Sequence, residues 1–199
     1  MITRRMSLIA AGIIAAFAAL TGCHHPEIEN MKCEYLAEPL IVDRQDPTFT
    51  WNYSQYADPS FKEAGYSISI ARTPEDLKTG NLVSRLESFS DYVWQVTAWN
   101  ADSSIVYTSP VAEFSTGALK MSDWSAEWIS DSYDKDEYRS PMLRKTFNIG
   151  KSVKSAKFYF SAAAYAKATL NGEAMANAVL EPGYTAYDCR NLYNVYDVT

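Results

Sequence analysis

Tyr92-Val93-Trp94-Gln95-Val96-Thr97 sets a large apolar side chain at every second position. Successive side chains of an extended chain leave on opposite sides, so Tyr92, Trp94 and Val96 share one face, and that face reads as buried. The same period recurs upstream, where Phe49, Trp51 and Tyr53 alternate with Thr48, Thr50 and Asn52. Tyr66, Ile68 and Ile70 likewise alternate with Ser67, Ser69 and Ala71. Beyond the first 22 residues there is no long apolar stripe at helical spacing. Thr73-Pro74-Glu75-Asp76-Leu77 predicts at most one helical turn, with proline at the first helical position, and it runs into Gly80. The pattern predicts an all-β first domain that closes near Phe114-Ser115-Thr116-Gly117. Trp51 and Trp94 fall on buried faces. Trp99 has the opposite parity from Trp94, which makes it exposed or marks a bulge.

A second block begins at Trp124-Ser125-Ala126-Glu127-Trp128-Ile129 and passes through an acidic loop, Asp131 to Glu137. Strand patterns then return at Leu143, Lys145, Phe147 and Ile149, at Ala156, Phe158 and Phe160, and at Ala166, Ala168 and Leu170. Asn171-Gly172 predicts a hairpin turn, because both residues accept the positive φ of a type I′ turn. Leu180-Glu181-Pro182-Gly183-Tyr184 predicts a second turn, and Tyr193 to Thr199 a last strand.

The N-terminus reads as an address. Arg4 and Arg5 precede an apolar run from Leu8 to Leu20, too short for a membrane-spanning helix of roughly 20 apolar residues. It suits the core of a secretory signal. Leu20-Thr21-Gly22-Cys23 resembles a bacterial lipobox, which implies cleavage before Cys23, acylation of its thiol and attachment to a membrane. Residues 1–22 are then a lipoprotein signal peptide. Residues 23–32, polar and patternless, read as a tether. The expected location is an exported, membrane-anchored lipoprotein of the periplasm, the outer membrane or the cell surface.

The chain has 199 residues, 47% hydrophobic and 14% aromatic, with five Trp and fourteen Tyr. Its net charge is −6; the signal carries two arginines and no acid, so the remainder holds 16 basic and 24 acidic residues. A surface of that sign repels phosphate backbones and excludes nucleic acid as a partner. Apart from Cys23, the cysteines are Cys33 and Cys189, which could pair in an oxidising compartment; two free thiols is the preferred reading.

A family resemblance rests on ordered motifs. Pro47-Thr48-Phe49-Thr50-Trp51, Tyr92-Val93-Trp94-Gln95-Val96 and Phe114-Ser115-Thr116-Gly117 resemble the fibronectin type III-like domain that opens many bacterial α-L-rhamnosidases. The second block carries Trp124, Trp128-Ile129, Pro141-Met142-Leu143-Arg144-Lys145-Thr146-Phe147 and Asn171-Gly172. Leu180-Glu181-Pro182-Gly183-Tyr184-Thr185-Ala186-Tyr187 and Tyr196-Asp197-Val198-Thr199 follow. This order resembles that family's N-terminal β-sandwich. The resemblance implies an all-β fold: a fibronectin type III or immunoglobulin-like sandwich over residues 33–119, then an incomplete jelly-roll-like β-sandwich over 120–199. It also implies that hydrolysis of terminal α-L-rhamnose belongs to a helical barrel beyond Thr199. The chain is then a non-catalytic accessory region, its glycan partner met through that barrel. The alternative is a stand-alone glycan-binding or adhesive surface lipoprotein.

The residues agree with a non-catalytic role. The only histidines, His24 and His25, lie in the tether, so the folded part lacks a Ser-His-Asp or Cys-His arrangement. There is no glycine-rich phosphate loop and no expected cofactor. The acidic loop Asp131, Asp134, Asp136 and Glu137 lacks the turn glycine of a calcium loop and reads as a solvated connection. His24, His25 and Cys33 are read as tether and fold rather than as metal ligands. Aromatic faces pack on the apolar side of a pyranose ring. Trp124, Trp128, Tyr184 and Tyr187 flank turns and are the candidate carbohydrate contacts; packing is the competing reading, and the stronger one for both tryptophans.

Overall fold

The computed structural model describes residues 25–131 and 140–199, so Cys23, the apolar N-terminal run and Asp134, Asp136 and Glu137 lie outside the described residues. The chain divides into two compact units, one running to Ser125 and the other from Ala126 to Thr199.

In the first unit β1 (Ile28–Cys33) pairs antiparallel with β2 (Phe49–Tyr53). A second sheet is built around β4 (Asp91–Trp99), which pairs with β3 (Gly65–Ala71) along one edge. β5 (Val106–Thr108) and β6 (Ala112–Ser115) follow each other along its other edge. Helix α1 (Pro74–Thr79) is the one turn the sequence predicts. Thr73 Oγ1 caps it by accepting from Asp76 N, and Gly80 ends it at φ 74°.

The core lies between the two sheets. Tyr92, Trp94, Val96 and Ala98 are all essentially buried, whereas Gln95, Thr97 and Trp99 are half-buried on the opposite face. Phe49 sits 4.4 Å from the Trp94 ring and 5.9 Å from Phe114, and Trp51 meets Tyr66 edge-on at 5.2 Å. These are the tilted and edge contacts that aromatic quadrupoles favour.

Two joints close the sandwich. Ser109, Pro110 and Val111 separate β5 from β6, where proline cannot donate to the ladder. Ser109 fills the gap: its Oγ accepts from Val96 N at 3.0 Å, and its own N donates to Val96 O at 2.9 Å. At the other end residues 39–42 run beside 115–117, with Val42 N donating to Ser115 O and Gly117 N to Val42 O. Thr116, fully buried, accepts from Ser90 N and donates to Glu87 O through the same hydroxyl.

One expectation is corrected here. Residues 28–32, read as tether, belong to β1. Ile28 and Cys33 are both buried but five positions apart, on opposite parity, so no alternation is visible in the sequence. A register shift between Glu29 and Lys32 reconciles them: Asn30 takes φ 51° and the bulge turns the strand over. Trp99 needs no bulge, since β3 and β4 stay in register from Ala71↔Val93 to Gly65↔Trp99.

The second unit contains two short ladders. β7 (Lys157–Ser161) pairs antiparallel with β10 (Tyr193–Asp197), and β8 (Thr169–Leu170) pairs with β9 (Glu173–Ala174). Asn171 and Gly172 join β8 to β9 with φ of 54° and 90°, the turn expected there. The expected strand through Leu143, Lys145, Phe147 and Ile149 is not formed, and of Ala166, Ala168 and Leu170 only Leu170 is in a strand. Alternation marks a strand only where a neighbour supplies the ladder and a layer covers one face. Here Leu143, Phe147 and Ile149 are exposed, with no ladder to them among the described residues.

Candidate functional site

The four aromatic candidates fall in different settings. Trp124 follows a 3₁₀ turn, Met121–Asp123, and its ring lies 6.0 Å from Phe89. Ser88 Oγ donates to Asp123 Oδ2 at 2.5 Å and accepts from Leu119 N at 2.8 Å, so the segment after β6 is tied down on the first unit. Trp124 itself is half-buried. Trp128 belongs to the second unit and is 65% exposed.

Tyr184 and Tyr187 are brought together, their ring centroids 5.4 Å apart at 69°. A tight loop presents them. Thr185 Oγ1 donates to Arg190 O, Cys189 N and Arg190 N both donate to Ala186 O, and Asn191 Nδ2 donates to Tyr187 O. Upstream, Glu181 Oε2 accepts from Tyr196 OH on β10 at 2.8 Å, which ties the turn to the ladder. Burial, with this neighbouring carboxylate, raises the Tyr196 phenol above its ordinary range. Tyr184 is exposed, while the Tyr187 hydroxyl is buried and has no hydrogen-bond partner among the described residues.

Asp58, Asp76 and Asp102 are shifted below the ordinary carboxylate range, chiefly by hydroxyl donors in their own turns, Ser60, Thr73 and Ser104. Cys33 goes up to about 12, through burial and then the neighbouring Glu34 carboxylate, which keeps it a protonated thiol at neutral pH. Cys189 is exposed, and both are free. His25 stacks on Tyr56 at 4.3 Å, so its ring packs on the first unit.

A two-sheet immunoglobulin-like sandwich followed by a second β-unit defines the class. Residues 28–120 match the model of the "Rha78A-like, N-terminal immunoglobulin domain", and residues 151–199 match the "Alpha-L-rhamnosidase N-terminal domain". An α-L-rhamnosidase of Formosa agariphila is 32% identical over 197 residues, covering 83% of this chain and 21% of the relative. One from an Alteromonas species is 29% identical, covering 94% of this chain and 24% of the relative. The solved α-L-rhamnosidase of Dictyoglumus thermophilum superimposes with a TM-score of 0.70 at 28% identity, over 86% of this chain and 23% of that one. The enzyme from Aspergillus terreus, at 22% identity and a TM-score of 0.62, shares the fold. The chain corresponds to the N-terminal region of α-L-rhamnosidases, and it spans less than a quarter of the length of these relatives.

Proposed function

We propose that this chain is the non-catalytic accessory region of an exported α-L-rhamnosidase-type glycoside hydrolase, held to a membrane through acylated Cys23. The observation that carries it is the order of two family matches, 28–120 and 151–199, within less than a quarter of enzymes named for this activity. The substrate class is then a glycan ending in α-L-rhamnose, cut by a catalytic domain outside these residues. The first unit is scaffolding that follows the anchor in the chain. The second supplies a partial sandwich, whose exposed Leu143, Phe147, Ile149 and Val179 are positions for further strands to cover. Tyr184 and Tyr187 are its carbohydrate-facing aromatics.

The test is activity of the native polypeptide that carries these peptides, set beside the 199-residue chain alone. On an aryl α-L-rhamnoside the native product is expected to release the aryl group and the short chain to release none. A native product that binds glycans without cleaving α-L-rhamnosides overturns this reading in favour of a surface glycan-binding lipoprotein.

A further inference from the structure

Trp99 ends β4 on the face turned away from the core, in the row Gly65–Trp99–Val106. A Cβ on Gly65 would lie 2.9 Å from each of Trp99 Cε2, Cζ2 and Nε1. Three ring atoms at one distance place the indole flat over the glycine, and any larger residue at position 65 would lift it off the sheet. One face of the indole thus lies against the Gly65 backbone, and Trp99 as a whole is half-buried, so part of the residue stays open to solvent.

The neighbouring rows on that side are Ser67–Thr97–Thr108 and Ser69–Gln95. Thr97 and Thr108 hydroxyls stand 3.3 Å apart, the Gln95 amide is steadied by Nε2 donating to Ser109 O at 2.8 Å, and Val106 is 53% exposed beside the indole. None of these side chains is charged, in a chain whose net charge is −6. We propose that this outer face, centred on Trp99, binds the pyranose ring of a neutral glycan. The indole takes the ring's C–H face, and the serine, threonine and glutamine groups meet its hydroxyl rim. A uronate or sulfate would find no cation in these rows. Trp99 belongs to the first unit and Tyr184 and Tyr187 to the second, and the proposal does not depend on which reaction the native product performs.

The test is a ¹H–¹⁵N titration of the full chain with methyl α-L-rhamnopyranoside, maltohexaose and an oligogalacturonate, each to about 10 mM, where weak sugar binding saturates measurably. W99F assigns the Trp99 indole N–H by its disappearance. A saturable shift of that resonance with one of the neutral sugars is expected. W99A should weaken the binding about tenfold or more. W99F should retain most of it, and T97E should weaken it with the backbone spectrum unchanged. T97E and W99F keep the question answerable if W99A fails to fold. An unmoved indole with both neutral sugars, tighter binding of the oligogalacturonate, or affinity unchanged in both W99A and T97E would overturn the proposal. None of these results bears on hydrolysis by the native product.

Discussion

Ser109 and Cys33 are buried for different reasons, and each yields a measurement. Replacing Ser109 by alanine leaves the Val96 N–H without its acceptor inside the sheet. An unsatisfied buried donor costs about 1–3 kcal/mol, so S109A is expected to lower the denaturant midpoint with its slope unchanged. A midpoint equal to the parent's would mean that another group takes over. Cys33 is protonated throughout the neutral range, since its pKa is about 12 in the fold. Iodoacetamide at pH 8 is therefore expected to label Cys189 in the native chain and Cys33 only after unfolding, with the count read by peptide mass mapping. Because the folded pKa is the raised one, the stabilisation from keeping this thiol neutral is complete below the ordinary thiol value of 9.0. It is lost as the pH climbs from there through about 12.

The helical turn and the hairpins show what a sequence reveals of an element. Thr73, Pro74 and Gly80 announce α1 because caps are local chemistry, and Asn171-Gly172 announces its turn for the same reason. β1 was hidden because its bulge reverses parity between Ile28 and Cys33, a property of the pairing with β2 and not of the segment itself. Leu143 to Ile149 shows the converse: period-two residues with no partner strand among the described residues remain irregular. Trp99 lay between the two cases, since its parity was legible but the glycine beneath it sits on another strand. The cap of α1 also gives a pH dependence. Asp76 accepts from Thr73 Oγ1 and Asn81 Nδ2, which holds its pKa below 3.8. A depressed folded pKa means that this support is present above 3.8 and is lost as the pH falls through the lower folded value. Amide exchange in residues 74–80 is expected to quicken there, and a T73A variant to show that fast exchange already at pH 6. Protection unchanged by either would separate the cap from the helix.

At the scale of the whole molecule the two units differ in what covers their apolar residues. Every buried hydrophobic residue of the described chain lies between Ile28 and Phe114, whereas Trp128, Ile129, Met142, Phe147 and Val179 of the second unit are exposed. Two-stranded ladders are marginal in water without a packed face. Hydrogen exchange on the 199-residue chain is expected to protect β3 and β4 strongly while β7 and β10 exchange close to the unfolded rate. Equal protection of both units would contradict the view that the second awaits further strands. The division between an immunoglobulin-like sandwich and a rhamnosidase-type unit was legible in the order of short motifs. The uncovered state of the second unit was not, because burial depends on partners that alternation alone does not name. The proposal that these residues open a larger lipoprotein is tested most directly by the intact mass of the native polypeptide, extracted from membranes with detergent. The account predicts a lipid-modified protein several-fold heavier than 22.3 kDa that carries these peptides at its N-terminus; a mass equal to residues 23–199 plus acyl chains would contradict it.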